Sequence, residues 1–570
     1  MHDLVIRGGT VVDGSGGAPR TADVAIDGDT IAAVGRVRET GRREIDADGL
    51  LVLPGWVDLH THYDGQATWD VELAPSAWHG VTTTIFGNCS VGFAPVRPGS
   101  EDFLISLMEG VEDIPGSALA EGIPFGWESF PDYLDVLESK RHPLDIGAYV
   151  PHGPLRFFVM GDRGADHKER PTPEEIREMG RLAVEGIRAG AFGFSTSRTV
   201  KHRAADGRPT PSLSAADSEL LGVAQAMGEA GVGVIQANSD FKTPEEWTLL
   251  RRMAEISGRP LTFSLIQVDH APDGWRTLLE NVEKANAAGL HVRAQVGSRP
   301  IGIMLGLTVT FHPFRGHETF REIQALPLAE QVGRLRDPDV RKRLLAERPT
   351  GPFADFMSGV MKRIWELGDP PNYEPAPEDS LLARAEREGE DVYALSLDLL
   401  LTDEGRTLLY HPFENYSEGD LEAVREMMAS PFTVSGLSDG GAHVATICDA
   451  SFPTTLLTHW ARDRRRGEKL PLEFVVHTQT RATAELMGLL DRGLVAPGLR
   501  ADLNVVDFEA LQLRPPELIR DLPAGGQRLL QAVDGYRHTI AGGVETYQDG
   551  QWTGATPGGL LRGPRPAPKA

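Results

Sequence analysis

The stretch Leu53 to Gln66, LPGWVDLHTHYDGQ, decides how the rest of the chain is read. It has the form of a short buried strand that ends in two histidines. Side chains alternate sides along an extended strand, so His60 and His62 project from one face, with Asp64 next in that row. Two imidazoles held side by side at a strand end make half of a metal site. A histidine pair that is merely packed or exposed at a strand end is the plainer alternative. Pro54 and Gly55 before the strand, and the acidic Asp58 and Asp64, weigh against it without removing it.

Outward from this stretch, the text before it is strand-like. DLVIRGGTVV and DVAIDGDTIAAVG, between Gly-rich and Asp-Gly turns, predict a small antiparallel sheet. GLVAPGLRADLNVVDF and HTIAGGVETYQDGQW repeat that idiom near the other end, as one sandwich shared by both termini would, although the pattern fits two unrelated hairpins equally. The middle alternates strand-like runs (VTTTIFGN, DIGAYVPHG, AFGFSTS, GVGVIQAN, LTFSLIQVD, HVRAQVGS, FTVSGLSD) with amphipathic helices such as TPEEIREMGRLAVEGIRAG. That alternation predicts a parallel barrel, whose ligands bind at the strand ends. The chemistry is therefore expected at Cys89, His152, Ser195 to Arg198, Asn238, Asp269, Arg299 and Asp439. From about Phe311 to Leu400 the rhythm gives way to charged helical text, too long for a connecting loop. It reads as a helical insertion over the strand-end face, either a lid or a solvated elaboration. The last residues, GLLRGPRPAPKA, read as a flexible Pro-rich tail.

The length of 570 residues accommodates a barrel with insertions and a satellite domain. Lysine and arginine total 57 against 82 acidic residues, a net charge of −25 that argues against nucleic-acid and anionic-membrane surfaces. The partner expected is a small-molecule substrate. The N-terminal MHDLVIRGGTVV lacks the features of a signal peptide, and no apolar run reaches the roughly 20 residues of a membrane span, so the expected location is cytoplasmic. Two cysteines, Cys89 and Cys448, make no disulfide framework.

With HYDGQ and the later GNCSVGFAP, the Leu53–Gln66 stretch resembles the first-strand signature of the amidohydrolase superfamily, and within it the D-aminoacylase branch, the N-acyl-D-amino-acid deacylases. The resemblance implies an α/β fold, a (β/α)8 TIM-like barrel joined to a small β-sandwich; with the pattern above, the barrel is expected over 53–488, with a helical insertion at about 311–400, and the sandwich from 1–52 and 489–555. Residues 556–570 are left as tail. It also implies a divalent metal, zinc, on His60, His62 and Cys89, where the cysteine alone reads as a packed thiol. Asp439, in GLSDGGAH, takes the role of general base and then acid, where Asp-Gly-Gly alone is also good turn chemistry.

One departure from the branch matters. The branch carries two further metal histidines, at the ends of the fifth and sixth barrel strands. Here Asn238 stands near the first position, and Leu265, Ile266 and Gln267 surround the second. Asn238, Gln267, His270 and His443 are thus candidates for metal or site support. For the substrate, Ser195, Arg198 and Arg299 follow strand ends, Tyr63 adjoins His62, and an arginine fork suits a carboxylate, although surface ion pairing is the commoner fate of arginine. His202, His411, Glu414 and Asn415 are further polar candidates.

The activity implied is hydrolysis of non-peptide C–N bonds, deacylating N-acyl-D-amino acids to a free D-amino acid and a carboxylate. A cyclic amide or imide hydrolase is one alternative. Such enzymes rely on a carboxylated lysine bridging two metals, and no lysine stands at a plausible fourth-strand position. A non-catalytic binding or scaffold paralogue with a degraded metal site is the other. The missing histidines favour it, and the retained His60, His62, Cys89 and Asp439 oppose it.

Overall fold

Gly55 is where the chain passes from one sheet into another. Leu51–Pro54 pairs antiparallel with Leu503–Val506 in a terminal sheet, and Trp56–Asp58 then opens a barrel. A Cβ at Gly55 would lie 2.1 Å from the Thr82 hydroxyl, so only glycine permits this close crossing. The computed structural model describes residues 1–568.

The barrel is a (β/α)8 arrangement. Its strands, in order around the sheet, are Trp56–Asp58, Val81–Phe86, Asp145–Pro151, Gly193–Arg198, Val234–Ser239, Leu261–Ser264, Val292–Val296 and Thr433–Ser435, each parallel to its neighbour. These strands are buried along most of their length, as strands covered on both faces must be. The seam between the first and eighth strands is closed beyond their ends. There the His62 N–H donates to the Gly440 carbonyl (2.8 Å) and the Asp439 N–H to the His60 carbonyl (3.0 Å). The same closure sets Asp439 beside the histidine pair.

Both chain ends build a separate nine-stranded sheet, in which Leu51–Pro54 and Leu503–Val506 are the central neighbours. Its apolar residues, among them Ile6, Val24, Leu503 and Ile540, form a core of their own. The insertion begins at Ile301, before the expected Phe311. Strands Ile301–Leu305 and Trp365–Glu366 flank Leu409–Glu414 in a small antiparallel sheet. Helices between Glu318 and Leu400 pack on it around Phe314, Leu335, Leu344 and Leu397.

The expectation of a flexible tail is corrected over residues 556–568, which run as an ordered strap along the barrel; residues 569–570 lie outside the described residues. Gly558 exchanges backbone hydrogen bonds with His142, the Leu561 N–H donates to the Ile146 carbonyl, and the Arg565 N–H to the Gly488 carbonyl. Proline content suggested disorder, but backbone pairing and burial of Leu561 hold the segment down. Among the described residues no helix is long and apolar enough to cross a membrane.

Candidate functional site

His60 and His62 leave the first barrel strand on one face, as the two-residue spacing requires, with ring centroids 5.5 Å apart. Cys89 follows the second strand in a turn where Cys89 (φ 56°) and Ser90 (φ 69°) both take left-handed backbone. Beyond the eighth strand, Leu437 (φ 62°), Asp439 (φ 48°) and His443 (φ 49°) do the same. Such conformations are costly for residues with a Cβ and concentrate at functional sites. Here they turn the side chains of Cys89, Asp439 and His443 inward.

The result is a tight cluster. One ligating atom each from His60, His62 and Cys89 lies within 4.8 Å of the others. His60 Nε2 is 3.3 Å from Cys89 Sγ and 3.4 Å from Asp439 Oδ1, and His62 Nε2 is 3.7 Å from that same oxygen. Four donor atoms therefore face a common point. Both ring nitrogens of His62, Asp439 Oδ1 and both carboxyl oxygens of Glu112 are buried without a hydrogen-bond partner among the described residues. Buried polar atoms are normally satisfied, so this concentration of orphans calls for a cation.

The electrostatics agree. Burial drives the His60 imidazole down to about 4, leaving it neutral at pH 7, the state that ligates a metal. Burial alone would raise Asp439, but His60, His62 and His443 hold its carboxyl low, at about 2. The Cys89 thiol and the Glu112 carboxyl are pushed well up by burial and by the neighbouring carboxylates. So much acidic chemistry in one desolvated place is stable as anions only with a local positive charge. The residues present fit a divalent metal.

Over the cluster opens a cavity of about 1020 Å³, walled by Asn238, Ser264, His270 and His443 among polar groups and by Phe241, Trp247, Trp275 and Phe311 among apolar ones. Asn238 Nδ2 lies 3.7 Å from Cys89 Sγ. The end of the sixth strand contributes Ser264 and the segment after it Ile266, while Leu265 turns into the core. Gln267 is committed to structure: its N–H donates to Asn415 Oδ1, and its side-chain oxygen accepts from the Ser417 N–H.

The four side chains expected to hold substrate are occupied elsewhere. Tyr63 is fully buried, its hydroxyl donating to Ser76 Oγ (2.6 Å). Ser195 is equally buried and donates to the Gly87 carbonyl. Arg198 donates to the Ala215 carbonyl (2.8 Å). Arg299 is buried over the Tyr373 ring, 3.4 Å from its centroid, with Asp449 3.3 Å away, and donates to the Cys448 carbonyl. None of the four is among the cavity's walls. His152, another strand-end candidate, is locked between Thr196 and Glu219. His202 does reach the cavity, and Lys201 and Glu414 form an ion pair at its wall.

Sequence reading missed two groups at the cluster. Gln295, through its side-chain oxygen, accepts from His60 Nδ1 at 3.1 Å. Its place in the seventh strand, alternating with the core residues Ala294 and Val296, was a usable signal. Glu112, 3.3 Å from His62 Nδ1, gave none, because it ends a helix rather than a strand.

Comparison with known proteins gives concordant findings. The pattern of a family described as Amidohydrolase family matches residues 43–547. The N-acyl-D-glutamate deacylase of Alcaligenes xylosoxydans xylosoxydans is 28% identical over 526 residues, covering 89% of this chain and 88% of that protein. A D-aminoacylase structure described for its binuclear metal centre superposes with a TM-score of 0.64 at 23% identity, covering 99% of this chain and 100% of that one. The N-acyl-D-glutamate deacylase of Bordetella bronchiseptica, complexed with zinc and a phosphonate inhibitor, gives 0.64 at 22% identity over 98% and 99%. At these identities the two structures speak for the fold.

Proposed function

We propose, from the premise that the chain belongs to the amidohydrolase family, that it deacylates N-acyl-D-amino acids to a carboxylate and a free D-amino acid. The observation that carries this reading is the meeting of His60, His62, Cys89 and Asp439 at one point beneath a large cavity. The name of the relative aligned over 89% of the chain supports the substrate class.

His60, His62 and Cys89 would hold a divalent metal, zinc by the choice of nitrogen and thiolate donors. When bound, that ion supplies the positive charge that polarises the scissile carbonyl and makes water acidic enough to attack near neutral pH. Asp439 does the proton work. Its Oδ1 faces the ligand point, takes a proton from the attacking water as the C–O bond forms, and returns it to the amide nitrogen as the C–N bond breaks. One ion per chain is the stoichiometry favoured, because the fifth and sixth strands bring Asn238 and Ser264, and no histidine, to their ends. The fourth strand, GFSTSR, carries no lysine that carboxylation could turn into a bridge.

The test is release of free amine from a panel of N-acyl-D- and N-acyl-L-amino acids by zinc-loaded protein. Turnover of D substrates, reduced about 10²- to 10⁴-fold in Asp439→Asn with the fold intact, is expected. A metal-loaded protein that cleaves no member of the panel, or an Asn variant of full activity, would contradict the assignment.

A further inference from the structure

Glu112 is a carboxylate that the reading above leaves without a task. It is the last residue of the helix Glu101–Glu112, and its side chain is 1% exposed. Its Oε1 lies 3.3 Å from His62 Nδ1 and its Oε2 3.5 Å from His443 Nε2, yet neither oxygen completes a hydrogen bond. A carboxylate desolvated to this degree is costly unless its neighbours recover the cost.

Its position is fixed by several ties. Gly110, two residues earlier, packs so closely on the backbone of Ala204 and Ala205 that a Cβ there would lie 2.2 Å from the nearest atom. The Ala205 N–H donates to the Ser106 carbonyl (2.8 Å). One residue later, Asp113 takes left-handed backbone (φ 54°) and accepts the hydroxyls of Thr310 (2.9 Å) and Thr446 (2.5 Å). The helix end is thus clamped from both sides, and Glu112 is delivered to the two imidazoles.

We propose that Glu112 is a positioning residue of the metal centre. One oxygen accepts the proton on His62 Nδ1, which fixes the tautomer and aims Nε2 at the point shared with His60, Cys89 and Asp439; the other holds His443 against the cavity. The inference rests on the metal-dependent reading above. His60 offers the internal comparison. Its Nδ1 meets the amide oxygen of Gln295 at 3.1 Å, and the Gln295 amide nitrogen donates to Thr262 Oγ1 (3.1 Å), which turns the oxygen toward the ring. Each ligand histidine therefore has an oxygen behind it, the amide oxygen of Gln295 for His60 and a carboxyl oxygen of Glu112 for His62. An oxygen behind the ring fixes its orientation and tautomer, and loss of such outer partners typically weakens metal binding about 10- to 100-fold.

The experiment titrates metal-free, full-length protein with zinc against a competing chelator, and with Co(II) followed by its visible spectrum, for wild type, Glu112→Gln and Glu112→Ala. Zinc affinity about 10-fold weaker in the Gln variant and about 100-fold weaker in the Ala variant is expected, with shifted Co(II) bands and a metal-free Tm no lower than wild type. The Tm readout separates positioning from simple structural support. Variants that bind zinc as tightly as wild type, with an unchanged Co(II) spectrum, overturn the role of Glu112 alone. Wild type that binds neither ion overturns this role together with the metal-dependent reading.

Discussion

The two sides of the barrel mouth are built from the same kind of strand and carry opposite chemistry. On the side of strands one, two and eight, His60, His62, Cys89 and Asp439 crowd one buried point, and several of their polar atoms have no partner among the described residues. On the side of strands five and six, Asn238, Ser264 and Ile266 present neutral groups to the cavity, and Gln267 is used up in holding Asn415 and Ser417. Unsatisfied donors mark a place prepared for a ligand, while satisfied or apolar ones mark a wall. A D-aminoacylase with the same fold is described by a binuclear centre. On the function proposed above, the first of these two sides would hold one ion and the second would form a wall of the cavity.

Substitutions sharpen this contrast in descending order of effect. The largest change expected is in turnover for Asp439→Asn, about 10²- to 10⁴-fold, read as amine release at saturating substrate. Full activity would move the chemistry away from this side of the mouth. Next, Cys89→Ala removes a proposed metal ligand and is expected to strip the metal on dialysis, read by elemental analysis. Asn238→Ala, at the end of the fifth strand and 3.7 Å from Cys89 Sγ, is expected to weaken binding but keep the ratio of metal to protein. A loss of stoichiometry as complete as that of Cys89→Ala would make Asn238 a ligand and erase the contrast.

The smallest effect concerns how the insertion is tied to the barrel. Glu374 meets His459 Nε2 at 2.9 Å and Arg464 Nη2 at 3.2 Å. Burial pulls its carboxyl up, but His459 and Arg464 outweigh burial and hold it below its ordinary value of 4.5. A carboxylate depressed in the folded state stabilises above its unfolded value and loses that contribution as pH falls through the folded one. The Tm difference between wild type and Glu374→Gln should therefore be largest near pH 7 and shrink below pH 4.5. A difference that grows on acidification would reverse the sign.

The sequence made one side of the mouth legible and the other only by subtraction. His60 and His62 could be placed on one face because a two-residue spacing on a strand has one geometric meaning, whereas Cys89 and Asp439 were only strand-end residues until the family resemblance gave them roles. Asn238 was visible as the absence of a histidine. Arg299 was misjudged because an arginine after a strand looks alike whether it faces substrate or, as here, is buried with Asp449 and Tyr373. Glu112 escaped because its position depends on Gly110 meeting the Ala204–Ala205 backbone, a contact between segments some ninety residues apart. The strap at 556–568 was read as flexible because composition reports proline content and not the backbone partners at His142, Ile146 and Gly488.

The most direct test of the one-sided centre is the metal content of the purified protein, grown with added zinc and dialysed without strong chelators. The account predicts close to one ion per chain, lost in Cys89→Ala. Two ions per chain, or none, would contradict it.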